Sequence, residues 1–474
     1  MQRLSHVTRV IAAIALACGA GLAQAGSLTD PGTTTFESQW IGDVTTPVTI
    51  GADHTVILDT FGDLFVLETA LINQGKVEVR GGDDAYYRAT LFSAGELVNR
   101  GTWNFGNQVD AHLFGEFDNR AGVIQIGVNS EVNLHGSTPL TGRIHGASTT
   151  SNLLAHAVQN ATFSGHVNLI SAPLPPHGSA GPMQASGTLT VDGTLRASGL
   201  ALTSDTTLQG AGRTVLAGGA IGLASPALPA QLTVAAGHTL QGHGQVAGAP
   251  VLNQGTLEAT RGQTLVLDAG LVQQGDGSLT LVNGTLKTPL LRVDGGVLEI
   301  GPGATVVDGD IEVGAGQVVL HADADASGWR SKVSGELTLS ERSTLELVVD
   351  ESNAGLISVV VGEFHADGNL LLTFAEGTSL LDAYIVELWG WTSGSFRSVQ
   401  VGIAGATPQA WAIAYQQDET LIITAVPEPH SAWLLTFGLA MLAWLAHARR
   451  RRAQPASAFT PPATAPTSRN AGAC

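Results

Sequence analysis

Short apolar runs, interrupted by Gly, Asn or Asp, recur through residues 33–350. Apolar and polar positions alternate in several of them, for example at residues 77–79, 188–191 and 311–313. This alternation has the two-residue period of a β-strand, and the longer period of an amphipathic helix is almost absent. The pattern predicts an all-β body built of strands and turns.

A motif in which Gly follows Asn by two residues precedes several of these runs. It begins at Asn73, Asn99 and Asn253, and looser forms begin at Asn119 and Gln273. Neighbouring copies are 26, 20 and, later, 20 residues apart. Such a period is typical of one coil of a β-solenoid, in which each coil buries its apolar side against the next. The sequence therefore predicts a parallel β-helix (β-solenoid) over residues 26–350.

The residue types in the motif also favour stacked coils. Stacked Asn side chains can hydrogen bond along the axis, and Gly permits a positive φ, which we expect at Gly255. The alternative treats each motif as a hairpin turn in an antiparallel sandwich or meander. We prefer the solenoid because the runs recur without evident antiparallel partners. In pattern, the repeats resemble those of autotransporter and filamentous-haemagglutinin-type surface proteins. Residues 171–187 are expected to form a projecting loop.

Residues 351–425 are richer in aromatic residues, and their apolar runs are longer. We predict a C-terminal β module that caps the body, because an open last coil exposes a strand edge that recruits other chains. Trp389 and Trp391 are expected to be buried in this cap, and stacking on sugars is the alternative for them.

The N-terminus has the features of a secretory signal peptide. Arg3 and Arg9 flank the start of an apolar run that ends in an A-x-A site formed by Ala23 and Ala25. We predict a signal peptide over residues 1–25, cleaved before Gly26, and export through the Sec machinery.

Near the C-terminus, residues 431–448 are apolar and free of acidic or fixed basic side chains. As a helix they are long enough to cross a thin bilayer. Four arginines follow directly: Arg449, Arg450, Arg451 and Arg452. By the positive-inside rule they stop membrane translocation, so the tail stays cytoplasmic and the body lies outside. The span is preceded by a short peptide whose prolines hold it extended: Val426, Pro427, Glu428 and Pro429.

This order of a Pro-Glu-Pro peptide, one apolar span and an arginine cluster resembles the PEP-CTERM sorting signal of Gram-negative bacteria. The resemblance covers residues 426–452. It implies that a membrane exosortase processes the tail and that the body reaches the cell surface or extracellular polysaccharide. Residues 453–474 extend beyond the usual end of such tails and are predicted to be a disordered cytoplasmic segment. An ordinary C-terminal anchor is the alternative.

Composition limits the chemistry of the exported body. Both cysteines, Cys18 and Cys474, lie outside it, so it forms no disulfide or thiolate metal site. A lipid anchor at Cys18 is disfavoured because Ala15 stands where such signals have Leu. Residues 26–427 contain 15 basic and 39 acidic side chains, a net charge of −24 that argues against nucleic acid as a partner.

The sequence contains no motif that assigns a catalytic residue, a metal ligand or a cofactor. His238 and His243 are five residues apart in a Gly-rich turn, a spacing that does not align them as metal ligands on a strand. Acidic residues at 81–84 and 323–325 are interpreted as ordinary turns rather than calcium sites.

Two classes of function remain open. The preferred one is a non-catalytic surface or extracellular-matrix protein, structural or adhesive, whose precursor is anchored in the inner membrane. The alternative is a polysaccharide-binding or polysaccharide-degrading β-helix, for which Glu346, Asp350 and Glu351 are candidate carboxylates. Three or more carboxylates grouped with Arg or aromatic rings in one cleft would favour the degrading form.

Overall fold

The computed structural model describes residues 27–37, 39–41, 47–59, 64–81, 89–171, 182–307, 309–322, 331–349, 356–417 and 419–425. The chain divides into two compact units, Met1–Thr424 and Ala425–Cys474, and the described residues other than Ala425 all belong to the first. Their secondary structure consists of strands and turns without a helix, which confirms the all-β prediction. Accordingly, these residues include no helix of the length and apolarity needed to span a membrane.

The strands of the early part of the chain form three parallel ladders, which we call the first, second and third faces. In chain order they are β1 (Gly32–Glu37), β2 (Gln39–Ile41), β3 (Val48–Ile50), β4 (His54–Asp59), β5 (Leu64–Glu68), β6 (Leu71–Asn73), β7 (Lys76–Arg80), β8 (Ala89–Ser93), β9 (Leu97–Asn99), β10 (Thr102–Phe105), β11 (Val109–Leu113), β12 (Phe117–Asp118), β13 (Val123–Ile126) and β14 (Glu131–Leu134). The first face contains β1, β4, β7, β10 and β13. The second contains β2, β5, β8, β11 and β14, and the third contains β3, β6, β9 and β12.

Longer strands follow, and each bends round a corner to serve more than one face. They are β15 (Leu140–Ala155), β16 (Ala157–Ser171), β17 (Met183–Val191), β18 (Thr194–Gln209) and β19 (Arg213–Leu223). Register shifts interrupt their pairing at the bends. The loop expected over residues 171–187 is shorter than predicted, because its last residues already belong to β17.

Regular coils then resume. Their strands are β20 (Leu232–Val234), β21 (Thr239–Ala247), β22 (Val251–Asn253), β23 (Thr256–Ala259), β24 (Thr264–Leu267), β25 (Leu271–Gln273), β26 (Leu279–Val282), β27 (Thr285–Lys287), β28 (Leu290–Val293), β29 (Val297–Ile300), β30 (Thr305–Val307), β31 (Asp310–Ala322), β32 (Lys332–Val349), β33 (Leu356–Ala366), β34 (Asn369–Phe374), β35 (Ala383–Gly394) and β36 (Ser398–Ile403). Every described pairing among β1 to β36 is parallel, so the solenoid interpretation is confirmed and the antiparallel sandwich is wrong.

The chain reverses direction only in its last two described strands, β37 (Gln409–Gln417) and β38 (Thr420–Ala425). β37 pairs antiparallel with β36, and β38 pairs antiparallel with β35. The parallel ladders therefore continue across the predicted boundary at residue 350, through β33 to β36. The two reversed strands occupy ladder edges of the last coils, where an uncovered edge would recruit another chain.

A buried amide ladder links the early coils at the corner between the third and first faces. Asn73 Nδ2 donates to Asn99 Oδ1 at 2.8 Å, and Asn99 Nδ2 donates to Asn119 Oδ1 at 2.6 Å. Asn119 Nδ2 then donates to the carbonyl oxygen of Thr141 at 2.8 Å. All three asparagines are buried, so the predicted Asn ladder is confirmed in these coils.

The glycine of the motif is required mainly because coils approach closely. A Cβ at Gly255 would lie 2.3 Å from the carbonyl oxygen of Ala235 and 2.4 Å from that of His238. Its φ is not positive, so our expectation for Gly255 is wrong. Gly275 differs, because its φ is +91° and an added Cβ would meet nothing within 4 Å.

Candidate functional site

A line of polar side chains follows the outer side of the second face over six successive coils. Residues at one register position form this polar row: Thr90, Asp110, Glu131, Asn152, Asn168 and Arg196. The residue after each one points inward, and Leu91, Val132 and Leu169, for example, are at most 1% exposed. Strand alternation therefore sends the polar row outward. Five steps of about 4.8 Å give the row a length of about 24 Å.

Aromatic and imidazole rings stack beside the first rungs of the polar row. This ring row consists of Phe92, His112, Phe114 and His135. Ring centroids lie 5.3 Å apart for Phe92 and His112, 5.6 Å for His112 and His135, and 4.5 Å for Phe114 and His135. The rings are nearly parallel, and Phe114 is 43% exposed. The ring row thus gives the polar row an apolar border.

Hydrogen bonds join the two rows. His112 Nε2 lies 3.2 Å from Asp110 Oδ1, and His112 Nδ1 lies 3.3 Å from His135 Nε2. Asn133 Nδ2 is shared between Asp110 Oδ1 at 3.3 Å and Glu131 Oε1 at 3.1 Å. Burial lowers the pKa of His135, and the neighbouring His112 lowers it further. His135 is therefore neutral at pH 7, and its ring stacks without carrying a charge.

The polar row ends in a surface pocket with a volume of about 310 Å³. Asn152, Asn168 and Arg196 line it together with small and apolar side chains. Asn168 Nδ2 donates to Asn152 Oδ1 at 2.9 Å and to the carbonyl oxygen of Thr149 at 2.7 Å. Arg196 is exposed, so its guanidinium adds donors beside these amides. The pocket has the size of a small ligand site and offers both donors and acceptors.

The chemistry of this surface is that of binding. Donors and acceptors recur on each coil, and Asp110 and Glu131 are the only carboxylates in the polar row. Both contact the Asn133 amide, which holds them side by side rather than on opposite sides of a sugar, as glycoside hydrolysis requires. The surface therefore falls short of the three-carboxylate cluster that would favour a degrading enzyme.

The terminal site residues predicted from sequence lie outside the described residues: Ala23, Ala25, Gly26, Val426, Pro427, Glu428, Pro429, Arg449, Arg450, Arg451 and Arg452. Asp350 and Glu351 also lie outside them. Glu346 accepts hydrogen bonds from Gln317 Nε2 and from Thr373 Oγ1. His238 is fully buried, with Nε2 3.0 Å from Thr214 Oγ1, so it occupies a core position.

The two tryptophans predicted to be buried in the cap differ from each other. Trp391 is half-buried, with its ring 6.1 Å from that of Phe364 and 5.6 Å from that of Phe396. Trp389 is 49% exposed, and its indole N–H donates to Ser358 Oγ at 3.1 Å. The burial prediction is therefore wrong for Trp389, because strand alternation buries its neighbour Leu388 and turns the indole outward.

Sequence reasoning missed the polar and ring rows because their members are far apart in the chain. Phe92 and His112 are 20 residues apart, and Phe114 and His135 are 21 apart. Aligning the coils on their Asn motifs would have shown this periodicity. Comparison with protein families, curated proteins and solved structures gave no match to the chain.

Proposed function

We propose that this protein is an exported surface or extracellular-matrix protein that binds extracellular polysaccharide, without cleaving it, through the polar and ring rows. The observation that carries the proposal is the outward line of hydrogen-bonding side chains on successive coils, ending in the pocket at Asn168 and Arg196. A linear glycan presents hydroxyl groups at regular intervals, and the coils present partners for them about every 4.8 Å. The ring row supplies apolar surface for the C–H faces of the sugars.

Charge narrows the class of glycan. The body carries a net charge of −24, so a densely anionic polymer is repelled at long range. The polar row contributes hydroxyl, carboxylate and amide groups and a single guanidinium, at Arg196. These groups suit a neutral or weakly acidic, hydroxyl-rich polysaccharide.

The proposed route to the cell surface rests on the two ends of the chain. Residues 1–25 direct export through the Sec machinery, and residues 426–452 act as a PEP-CTERM-like signal for an exosortase. The precursor is held in the inner membrane by its C-terminal span, and the mature body is released to the surface or matrix. A plain membrane anchor is the competing proposal for residues 426–452.

Binding is tested by co-sedimentation of the purified protein with extracellular polysaccharide from the producing cells. The double variant Asn168→Ala/Arg196→Ala removes amide and guanidinium donors from the pocket. Each lost hydrogen bond is worth about 1 kcal/mol, so we expect binding about tenfold weaker. Arg143→Ala is the matched control, because Arg143 is an exposed arginine on the first face. Equal binding by the double variant and wild type would contradict the proposal.

Sorting is tested by mass spectrometry of the C-terminal peptide of surface-exposed protein. We expect residues 431–452 to be absent from the mature form. Changing Pro427, Glu428 and Pro429 to Ala leaves the hydrophobicity of the span unchanged, so the unprocessed variant should accumulate in the inner membrane. Recovery of the intact span on mature surface protein would favour the plain anchor.

A further inference from the structure

Away from the polar and ring rows, three metal-ligating side chains converge on the first-face ladder. Glu336, Glu363 and His365 each offer one ligand atom, and these atoms lie within 4.8 Å of one another. Glu336 belongs to β32 and pairs in register with Glu363 of β33. His365 follows two residues later on the same side of β33. Two successive coils therefore supply the group.

The electrostatics of this ladder call for a positive charge. Glu336 and Glu363 are stacked in register, and like charges in that arrangement are destabilising. Asp310 stands on the coil before, where its Oδ1 accepts from the backbone N–H of Glu336 at 3.0 Å. Within the described part of the chain, Glu363 pairs with no cationic side chain, and the ion pair of Glu336 is with the His365 ring at 3.4 Å.

Neighbouring hydroxyl groups orient two of the three ligands. Thr338 Oγ1 donates to Glu336 Oε1 at 2.6 Å. His365 Nδ1 lies within hydrogen-bond distance of Ser393 Oγ, while Nε2 is the nitrogen nearest Glu336. Hydrogen bonds to the outer side of ligands in this way are typical of metal sites, because they fix the ring and the carboxylate.

We infer that Glu336, Glu363 and His365 bind a divalent transition-metal cation of the Zn²⁺ class. One imidazole and two carboxylates suit such an ion, whereas Ca²⁺ prefers oxygen ligands alone. Ligands about 2.1 Å from a tetrahedral zinc lie about 3.4 Å apart, so small rotations of these exposed or half-buried side chains complete the site. The cation offsets the stacked carboxylates and joins the coils of β32 and β33 near the end of the parallel ladders.

The test is a calorimetric titration of the EDTA-treated, dialysed protein with ZnCl₂. Wild type is expected to bind one equivalent that His365→Gln and Glu363→Gln each lose or bind more than about tenfold more weakly. Zn²⁺ is also expected to raise the unfolding temperature of wild type more than that of either variant. Both substitutions replace accessible side chains with similar shapes, and circular dichroism verifies that the fold is retained.

His145→Gln is the matched control. His145 pairs in register with Ser164, and its Nδ1 lies 3.0 Å from Ser164 Oγ, as His365 lies beside Ser393. It belongs to no such three-ligand group in the described residues, so this variant should bind zinc as wild type does. Zinc bound at other histidines cancels in the comparison. Identical stoichiometry and affinity in His365→Gln and wild type would overturn the inference, as would equally tight Ca²⁺ binding that ignores this substitution.

Discussion

The Asn-x-Gly motif forms the same turn in two regions, but at different corners of the solenoid. In the early coils, residues 71–126, Asn73 and Asn99 end strands of the third face. In the late coils, residues 251–300, Asn253 and Gln273 end β22 and β25. These strands continue the first-face ladder, which passes through β16, β17, β18 and β20. The motif has therefore moved by one corner, and the long bent strands β15 to β19 lie between the two arrangements.

The comparison shows which part of the motif is fixed. A Cβ at Gly75 would lie 2.2 Å from the carbonyl oxygen of Gly51 and 2.3 Å from that of His54. Gly255 meets the equivalent carbonyls of Ala235 and His238 at nearly the same distances. The backbone contact is thus a property of the turn, whichever corner it occupies.

The amide side chain of the motif is more adaptable. In the early coils, Asn99 hydrogen bonds to Asn73 and Asn119. In the late coils, Asn253 Nδ2 donates to the carbonyl oxygen of Leu279 at 2.9 Å, and Gln273 Nε2 donates to that of Val297 at 3.0 Å. Buried backbone carbonyls need a partner, and either amide supplies one.

The largest expected effect separates two glycines of the motif. Gly101→Asn places a Cβ 2.1 Å from the carbonyl oxygen of Gly75, so the coils must separate, and we expect a loss of about 3 kcal/mol or more of unfolding free energy. Gly275→Asn has open space and needs only a positive φ, which Asn tolerates, at a cost of about 1 kcal/mol. Urea denaturation measures both, and equal losses would refute the distinction.

The next effect breaks the amide ladder. Asn99→Ala leaves the buried amides of Asn73 and Asn119 each short of a partner, so we expect a loss of about 3 kcal/mol. Asn253→Ala removes the side-chain donor that reaches Leu279 and Thr280 and should cost about 2 kcal/mol. The same denaturation assay compares them. A smaller loss for Asn99→Ala than for Asn253→Ala would show that the side chains do not act as a ladder.

A third prediction uses the buried corner histidine of the late coils. Burial lowers the pKa of His238 to about 4 from its ordinary value of 6.5. The unfolded chain therefore takes up a proton at higher pH than the folded chain, and stability falls as pH drops from 6.5 towards 4. The loss attributable to His238 is roughly 2 to 3 kcal/mol.

His238→Gln removes this titration, so the difference in unfolding free energy between variant and wild type should change across that pH range. His145→Gln, at an exposed histidine, provides the control. Parallel pH profiles for wild type and His238→Gln would contradict the assignment.

The smallest stability effect is expected on the outer side of the early coils. Phe114→Ala removes a ring that is 43% exposed, and we expect a loss of less than about 1 kcal/mol of unfolding free energy. Polysaccharide binding should weaken severalfold, because the apolar border of the polar row is interrupted. Trp389→Ala is the control, since Trp389 is an exposed aromatic residue outside both rows. If Trp389→Ala weakens binding as much as Phe114→Ala does, the ring row is not the apolar contact.

The sequence predicted the class of fold because alternation and the Asn-x-Gly spacing are local signals. It also predicted the amide ladder, since Asn73, Asn99 and Asn119 follow one period. It did not predict the contact at Gly255, because a glycine chosen for close approach looks the same as one chosen for positive φ. The polar row and the group around His365 depend on register between coils, and the bends in β15 to β19 shift that register in ways that local patterns do not encode.

The most direct test of polysaccharide binding by the polar row is a calorimetric titration of the protein with oligosaccharides of increasing length. These are prepared from the extracellular polysaccharide of the producing cells. Affinity should rise with length until the fragment spans the row, about 24 Å, and then level off. No binding at any length, or the same affinity for a monosaccharide and a long fragment, would contradict the proposal.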